Sequence, residues 1–214
     1  MNKTNVPRLP LPHVTKHQAI VMASRLFNLN ITDPSSVKAL ASFDDRNFYM
    51  QGSLNSKQED IGTSDSKEYI LKIASHAASN HDCLIETQHN AMLFLQARDY
   101  KCPTPVPSIF GTSFVMCKFP RSLPSDSAAL EKGDVKGVGD LEDETAIYDG
   151  EEYSEKEFFV CAVRLLNFVP GKMMNEIPLS TQLLFDVGMA VGRLDRDLKV
   201  EFIYTEVSLM SPIR

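Results

Sequence analysis

The segment Tyr69-Ile70-Leu71-Lys72-Ile73 constrains this chain more than any other stretch. Its β-branched and aromatic side chains read as a compact strand. A strand repeats every two residues, so Tyr69, Leu71 and Ile73 share one face and Ile70 and Lys72 share the other. One face is wholly apolar. The other sets a single ammonium group beside an isoleucine, and that is the first hint of chemistry.

The flanking segments give this strand a setting. Thr15 followed by Gln18 forms a capping-box pattern with Val14 as its hydrophobic staple, and Ala19, Met22, Ala23 and Leu26 follow at helical spacing. They predict a helix near 15–27, preceded by a mobile arm over 1–14. Val37–Leu40 and Phe48–Gln51 read as short strands around the turn-rich Phe43-Asp44-Asp45-Arg46-Asn47, and 52–68 reads as a loop. A second helix is expected over 82–98, with Asp82 as its cap and Ile85, Met92 and Leu95 as its apolar stripe. Pro103, Pro105 and Pro107 forbid its continuation. Strands are expected at Ser113–Phe119 and Phe158–Phe168, then a turn at Val169-Pro170-Gly171. A third helix starts at Ser180, with Leu184, Val187, Val191, Leu194 and Leu198 along one side. Residues 201–214 read as an atypical, strand-like tail.

Between the last two strands lies an insert, 121–157, with twelve Asp or Glu against four Lys or Arg. Its balance of −8, taken from the whole-chain charge of −6, leaves the rest at +2. Few aromatics and little periodicity predict disorder, as a mobile tether or as an acidic regulatory segment. No basic block points to nucleic acid, and no apolar run is long enough for a membrane. Cys83, Cys102, Cys117 and Cys161 lack paired spacing and read as free thiols of a reducing, cytoplasmic compartment.

The element order is strand, strand, lysine-bearing strand, helix, strand, strand, turn, helix. It predicts an α+β fold: a protein-kinase-like small lobe of antiparallel sheet plus helix over 15–170, then the first helix of an incomplete large lobe over 171–200. In such a lobe a strand lysine meets nucleotide phosphates and a glutamate on the next helix holds it. Lys72 is the candidate ammonium and Glu86 its candidate partner. A surface salt bridge, or two solvated groups, is the competing reading of that pair alone.

Asp45-Arg46-Asn47-Phe48, Tyr69–Ile73, Glu86 with its helix, Pro103-Thr104-Pro105-Val106-Pro107 and Val163-Arg164-Leu165-Leu166-Asn167-Phe168-Val169-Pro170-Gly171 together resemble the aminoglycoside-phosphotransferase and choline-kinase-like family. The stretch from Arg164 to Lys199, with Gly188, Gly192, Leu194 and Asp195, resembles its hydroxylysine-phosphorylating branch. The resemblance implies a nucleotide cleft between two lobes. It implies phosphoryl transfer from GTP or ATP, with Mg2+, to the hydroxyl of a small amino-acid substrate, 5-hydroxylysine. By the same resemblance Lys72 would hold phosphates and Glu86 would orient it. Ile70 would line the base pocket, the turn Phe43–Asn47 would cover the phosphates, and Leu166, Asn167, Phe168 and Val169 would form the hinge edge.

This sequence departs from the family in two places. The covering turn has no glycine between Leu40 and Gln51. None of the histidines at 13, 17, 76, 81 and 89 opens an HGD-like catalytic segment. No catalytic residue and no metal ligand is therefore assigned, and the pattern reads as truncated near Val200. Arg193-Leu194-Asp195-Arg196-Asp197 reads as a solvated helix face. His81, Cys83 and His89 fit no metal-ligand spacing, and the methionines read as core filler. The helix over 183–198 would leave an apolar stripe open to association.

Overall fold

The computed structural model describes residues 12–54, 66–81, 83–120, 158–172 and 174–209. The chain divides into two compact units, Met1–Val169 and Pro170–Arg214. The acidic insert and the first eleven residues lie outside the described residues.

The first unit opens with α1, Lys16–Phe27. Thr15 Oγ1 accepts from the Gln18 N–H at 3.2 Å, and Gln18 Oε1 accepts from the Thr15 N–H at 2.9 Å, so the capping box is formed. Asn28 ends the helix in the left-handed region at φ 55°, a conformation asparagine adopts more easily than most residues. The arm is anchored by its last residues. Pro12 is buried, its carbonyl accepts from Arg46 Nε at 3.3 Å, and Val14 packs on the core.

The strands are β1 Leu29–Ile31, β2 Lys38–Leu40, β3 Arg46–Leu54, β4 Lys67–Ile73, β5 Pro105–Val106, β6 Val115–Pro120 and β7 Phe158–Asn167. They form one antiparallel sheet in the order β1-β3-β4-β7-β5, with β2 also on β3 and β6 also on β7. Pro105 is tolerated because β5 lies at an edge, where no ladder donor is needed on its outer side. The expected alternation along β4 is present. Tyr69, Leu71 and Ile73 are buried against Ala19, Met22, Ala23 and Leu26 of α1, and Phe48, Met50, Val163 and Leu165 extend that core onto neighbouring strands.

The second helix differs from its expected span. A single turn, α2 His76–Ser79, is followed by α3 Leu84–Gln96. Cys83, in the left-handed region at φ 58°, is the N-cap and offers no side-chain hydrogen bond. Asp82, the expected cap, lies outside the described residues. Ile85 of α3 packs with Ala74 and Ala162 on the sheet face opposite α1.

In the second unit, α4 spans Thr181–Leu209, with Ser180 Oγ accepting from the Leu183 N–H at 3.1 Å. The strand-like reading of the tail is corrected up to Leu209. Neither glycine nor proline occurs between Gly192 and Pro212, so nothing in the local chemistry stops the helix at Lys199. Leu184, Phe185, Met189 and Val191 are exposed. Asp195 bonds Lys199 four residues on at 2.8 Å, both exposed, while the half-buried Asp197 bonds Arg196 at 3.1 Å. No helix among the described residues is long and apolar enough to cross a membrane.

Candidate functional site

The sheet face opposite α1 carries two rows of side chains in register. Antiparallel partners project to the same side, so the pairs Asn47↔Lys72 and Lys72↔Arg164 align Asn47, Lys72 and Arg164 across β3, β4 and β7. One step along the strands, Tyr49↔Ile70 and Ile70↔Leu166 form a second, apolar row. A cationic row thus runs beside an aromatic and aliphatic one.

Lys72 is partly exposed and pairs with Asp45 Oδ2, not with Glu86. The other oxygen, Asp45 Oδ1, accepts from the Ser75 N–H at 3.2 Å. Asp45 therefore ties the turn before β3 to the end of β4. The expected Lys72–Glu86 pair is absent, and the helical period explains it. Ile85 and His89, four residues apart, take the inward face of α3 and leave Glu86 exposed. Glu86 lines two hollows instead, one with Phe110, Phe114 and Met116, the other with Ser79, Asn80 and Leu84.

Arg164 is 3% exposed. Its Nη1 lies 3.3 Å from His89 Nε2, and its Nε, like Asn47 Oδ1, is buried with no hydrogen-bond partner among the described residues. A guanidinium only donates, so His89 Nε2 accepts. The ring hydrogen is then on Nδ1, which lies 2.8 Å from Ser113 Oγ and donates to it. Burial, and then the Arg164 charge, push His89 down to about 4, so the ring is neutral near pH 7. Burial also lowers Arg164 from the usual arginine value, while the Asp45 charge works in the other direction. Lys72 and Arg164 are like charges in directly opposed positions, an arrangement that calls for an anion between them.

At the other end of this face, Tyr49 meets Phe168 edge to face at 5.3 Å, and its hydroxyl donates to Glu68 Oε1. Burial and this bond raise the Tyr49 pKa. The Phe168 N–H donates to the Glu68 carbonyl at 3.0 Å. Asn167 is used structurally, its N–H and Nδ2 donating to Thr104 O and Oγ1 at 2.9 and 2.8 Å. Leu166 and Ile70 belong to the apolar row. Val169, two residues beyond β7, is half-buried.

The register aligns Lys72, Ile70, Asn47 and Leu166 on one face of the sheet. Sequence reasoning put Lys72 and Ile70 on one strand face, Asn47 in the covering turn and Leu166 on the hinge edge. It missed Tyr49, Arg164 and His89, and it took Asp45 only as part of the covering turn. Tyr49 could have been found from its alternation with Phe48 and Met50. No local signal joins His89 to Arg164, which lie 75 positions apart. Among the described residues no three carboxylate, histidine or cysteine side chains converge as a metal site.

An antiparallel sheet with a lysine on β4 and a helix packed on the same sheet face through Ile85, Ala74 and Ala162 makes this an α+β unit of the protein-kinase-like small-lobe type. The chain is similar to hydroxylysine kinases. It is 29% identical to that of Danio rerio over 184 residues, 27% to that of Bos taurus over 191, and 25% to that of Mus musculus over 198. These alignments cover 86%, 89% and 92% of this chain but 39%, 40% and 42% of the relatives. The chain thus spans about two fifths of the length of the curated relatives it matches. No family model and no solved structure matches it.

Proposed function

We propose that these residues form the nucleotide-binding part of a phosphotransferase of the hydroxylysine kinase type, which transfers a phosphoryl group from GTP or ATP to the hydroxyl of 5-hydroxylysine. The observation that carries the reading is the pair of rows. An apolar row of Tyr49, Ile70 and Leu166 suits a base, and the adjoining row with Lys72 and Arg164 suits phosphates. Polyphosphate concentrates negative charge, and an ammonium in the same row as a buried guanidinium meets it with charge-assisted contacts.

In this reading Lys72 contacts phosphate directly. The orphaned atoms Asn47 Oδ1 and Arg164 Nε gain partners from a polar ligand or its hydration water. The edge from Leu166 to Val169 meets the base. Magnesium, when bound with nucleotide, would neutralise phosphate charge; no residue here is assigned to it. No HGD-like segment occurs in these 214 residues, so no general base is assigned and the chain by itself is expected to bind nucleotide without turnover.

The test is calorimetric titration of the chain with GTP and with ATP, alongside Lys72→Ala. Loss of one charge-assisted contact, about 1.5–3 kcal/mol, weakens binding roughly ten- to a hundredfold. Equal binding by both proteins, or none by either, refutes the proposal. Saturable binding of a partner protein that is insensitive to Lys72→Ala would instead favour a non-catalytic interaction fragment.

A further inference from the structure

Lys72 makes its ion pair with Asp45, on the turn expected to cover the phosphates, and both Asp45 oxygens are engaged, one by the Lys72 ammonium and one by the Ser75 N–H. Arg164 stands next to Lys72 in the same row and feels the Asp45 charge. An ammonium and a backbone donor thus hold one carboxylate, with a second, buried cation next to that ammonium in the same row. That is the environment of a bound oxyanion, filled here by the chain itself.

The geometry points to Asp45 as an internal stand-in for phosphate: its carboxylate fills the position beside Lys72 and the Ser75 N–H that a phosphate oxygen of the nucleotide takes over on binding. This rests on the nucleotide reading above and adds a residue and a direction to it. Two cations against one carboxylate leave the row with an excess positive charge, so a polyphosphate satisfies it better than Asp45 does. Displacing Asp45 disturbs little packing, because Ala41, Ser42, Phe43 and Asp44 just before it are exposed and Phe43 is 69% so. The turn lacks glycine, so its backbone is poorly suited to cradling phosphate. Its side-chain carboxylate instead holds the Lys72 ammonium until an anion arrives. Asp45 is thus a positioning residue that competes with the ligand.

The variant Asp45→Asn keeps an oxygen that can accept from the Ser75 N–H and removes only the charge. Binding of inorganic tripolyphosphate, GTP and ATP is measured for the wild-type chain and the variant, with circular dichroism as the check on folding. Acetylation of Lys72 by an N-hydroxysuccinimide ester, read by mass spectrometry, is followed in both proteins. The expected result is roughly tenfold tighter binding of tripolyphosphate and GTP by Asp45→Asn, together with several-fold faster acetylation of Lys72. Should Asp45→Asn lose its fold, Asp45→Ser, another common turn residue, removes the same charge.

Weaker or unchanged binding in the variant, while the wild type binds GTP, overturns the inference and leaves the nucleotide reading standing. If neither protein binds GTP or ATP but tripolyphosphate binds the variant more tightly, the nucleotide reading falls and the stand-in role of Asp45 remains. Failure of both proteins to bind any of the three overturns both.

Discussion

Protonation of His89 is the most quantitative handle on this fold. The ring is 2% exposed, it accepts from Arg164, and its pKa is pushed from 6.5 down to about 4. Charging it would place two buried cations 3.3 Å apart and remove the acceptor that Arg164 uses. The sign follows from linkage. Between about 4 and 6.5 the unfolded chain binds a proton at this position that the folded chain refuses, so stability falls as pH drops through that window. For these two values the loss from pH 7 to pH 5 is about 2 kcal/mol. Urea unfolding of the chain at pH 7, 6 and 5, set against His89→Gln, isolates the term. Glutamine can accept from Arg164 and does not titrate, so the variant is expected to lose about 2 kcal/mol less over the interval. Identical pH slopes for the two proteins would show that His89 is not held neutral by its burial beside Arg164, and the electrostatic account of that face would fail with it.

Other outcomes are expected from the same structure. Leu71→Ala, at a position with no exposed surface between α1 and the sheet, costs about 2–5 kcal/mol in chemical unfolding; a loss below 1 kcal/mol would contradict the packing described. A thiol reagent modifies exposed Cys83 first. Buried Cys117 and Cys161, whose thiols burial raises to about 12, react only on unfolding, and equal rates in the native chain would contradict their placement.

The α1 face of the sheet was legible in the sequence because its signals are local. The capping box at Thr15, the spacing from Ala19 to Leu26 and the alternation from Tyr69 to Ile73 each specify an element and its buried side. Strands as short as β1 and β5 escaped, since three residues and two residues carry too little pattern to stand out. The tail was misread because the stripe ending at Leu198 was taken as the end of the helix, although helical backbone runs on to Leu209. In the candidate site, Lys72 was found because a lone cation within the apolar run Tyr69–Ile73 is visible. Its partner was misassigned because position in an element does not reveal which of two nearby carboxylates reaches a given ammonium. Glu86 sits one position from the buried Ile85, and that single step, about 100° around the helix, turns it to solvent. Asp45 reaches Lys72 only because the β2–β3 turn folds over the end of β4, a tertiary arrangement that no periodicity encodes.

The central claim is that nucleotide lies on the sheet face away from α1. Methyl-resolved NMR of the isoleucine-, leucine- and valine-labelled chain, titrated with GTP, reads this directly. The account expects the Ile70 and Leu166 methyl resonances to move while those of Leu71, Val163 and Leu165, on the α1 side, stay in place. Movement confined to Leu71, Val163 and Leu165, or no movement at saturating GTP, would contradict it.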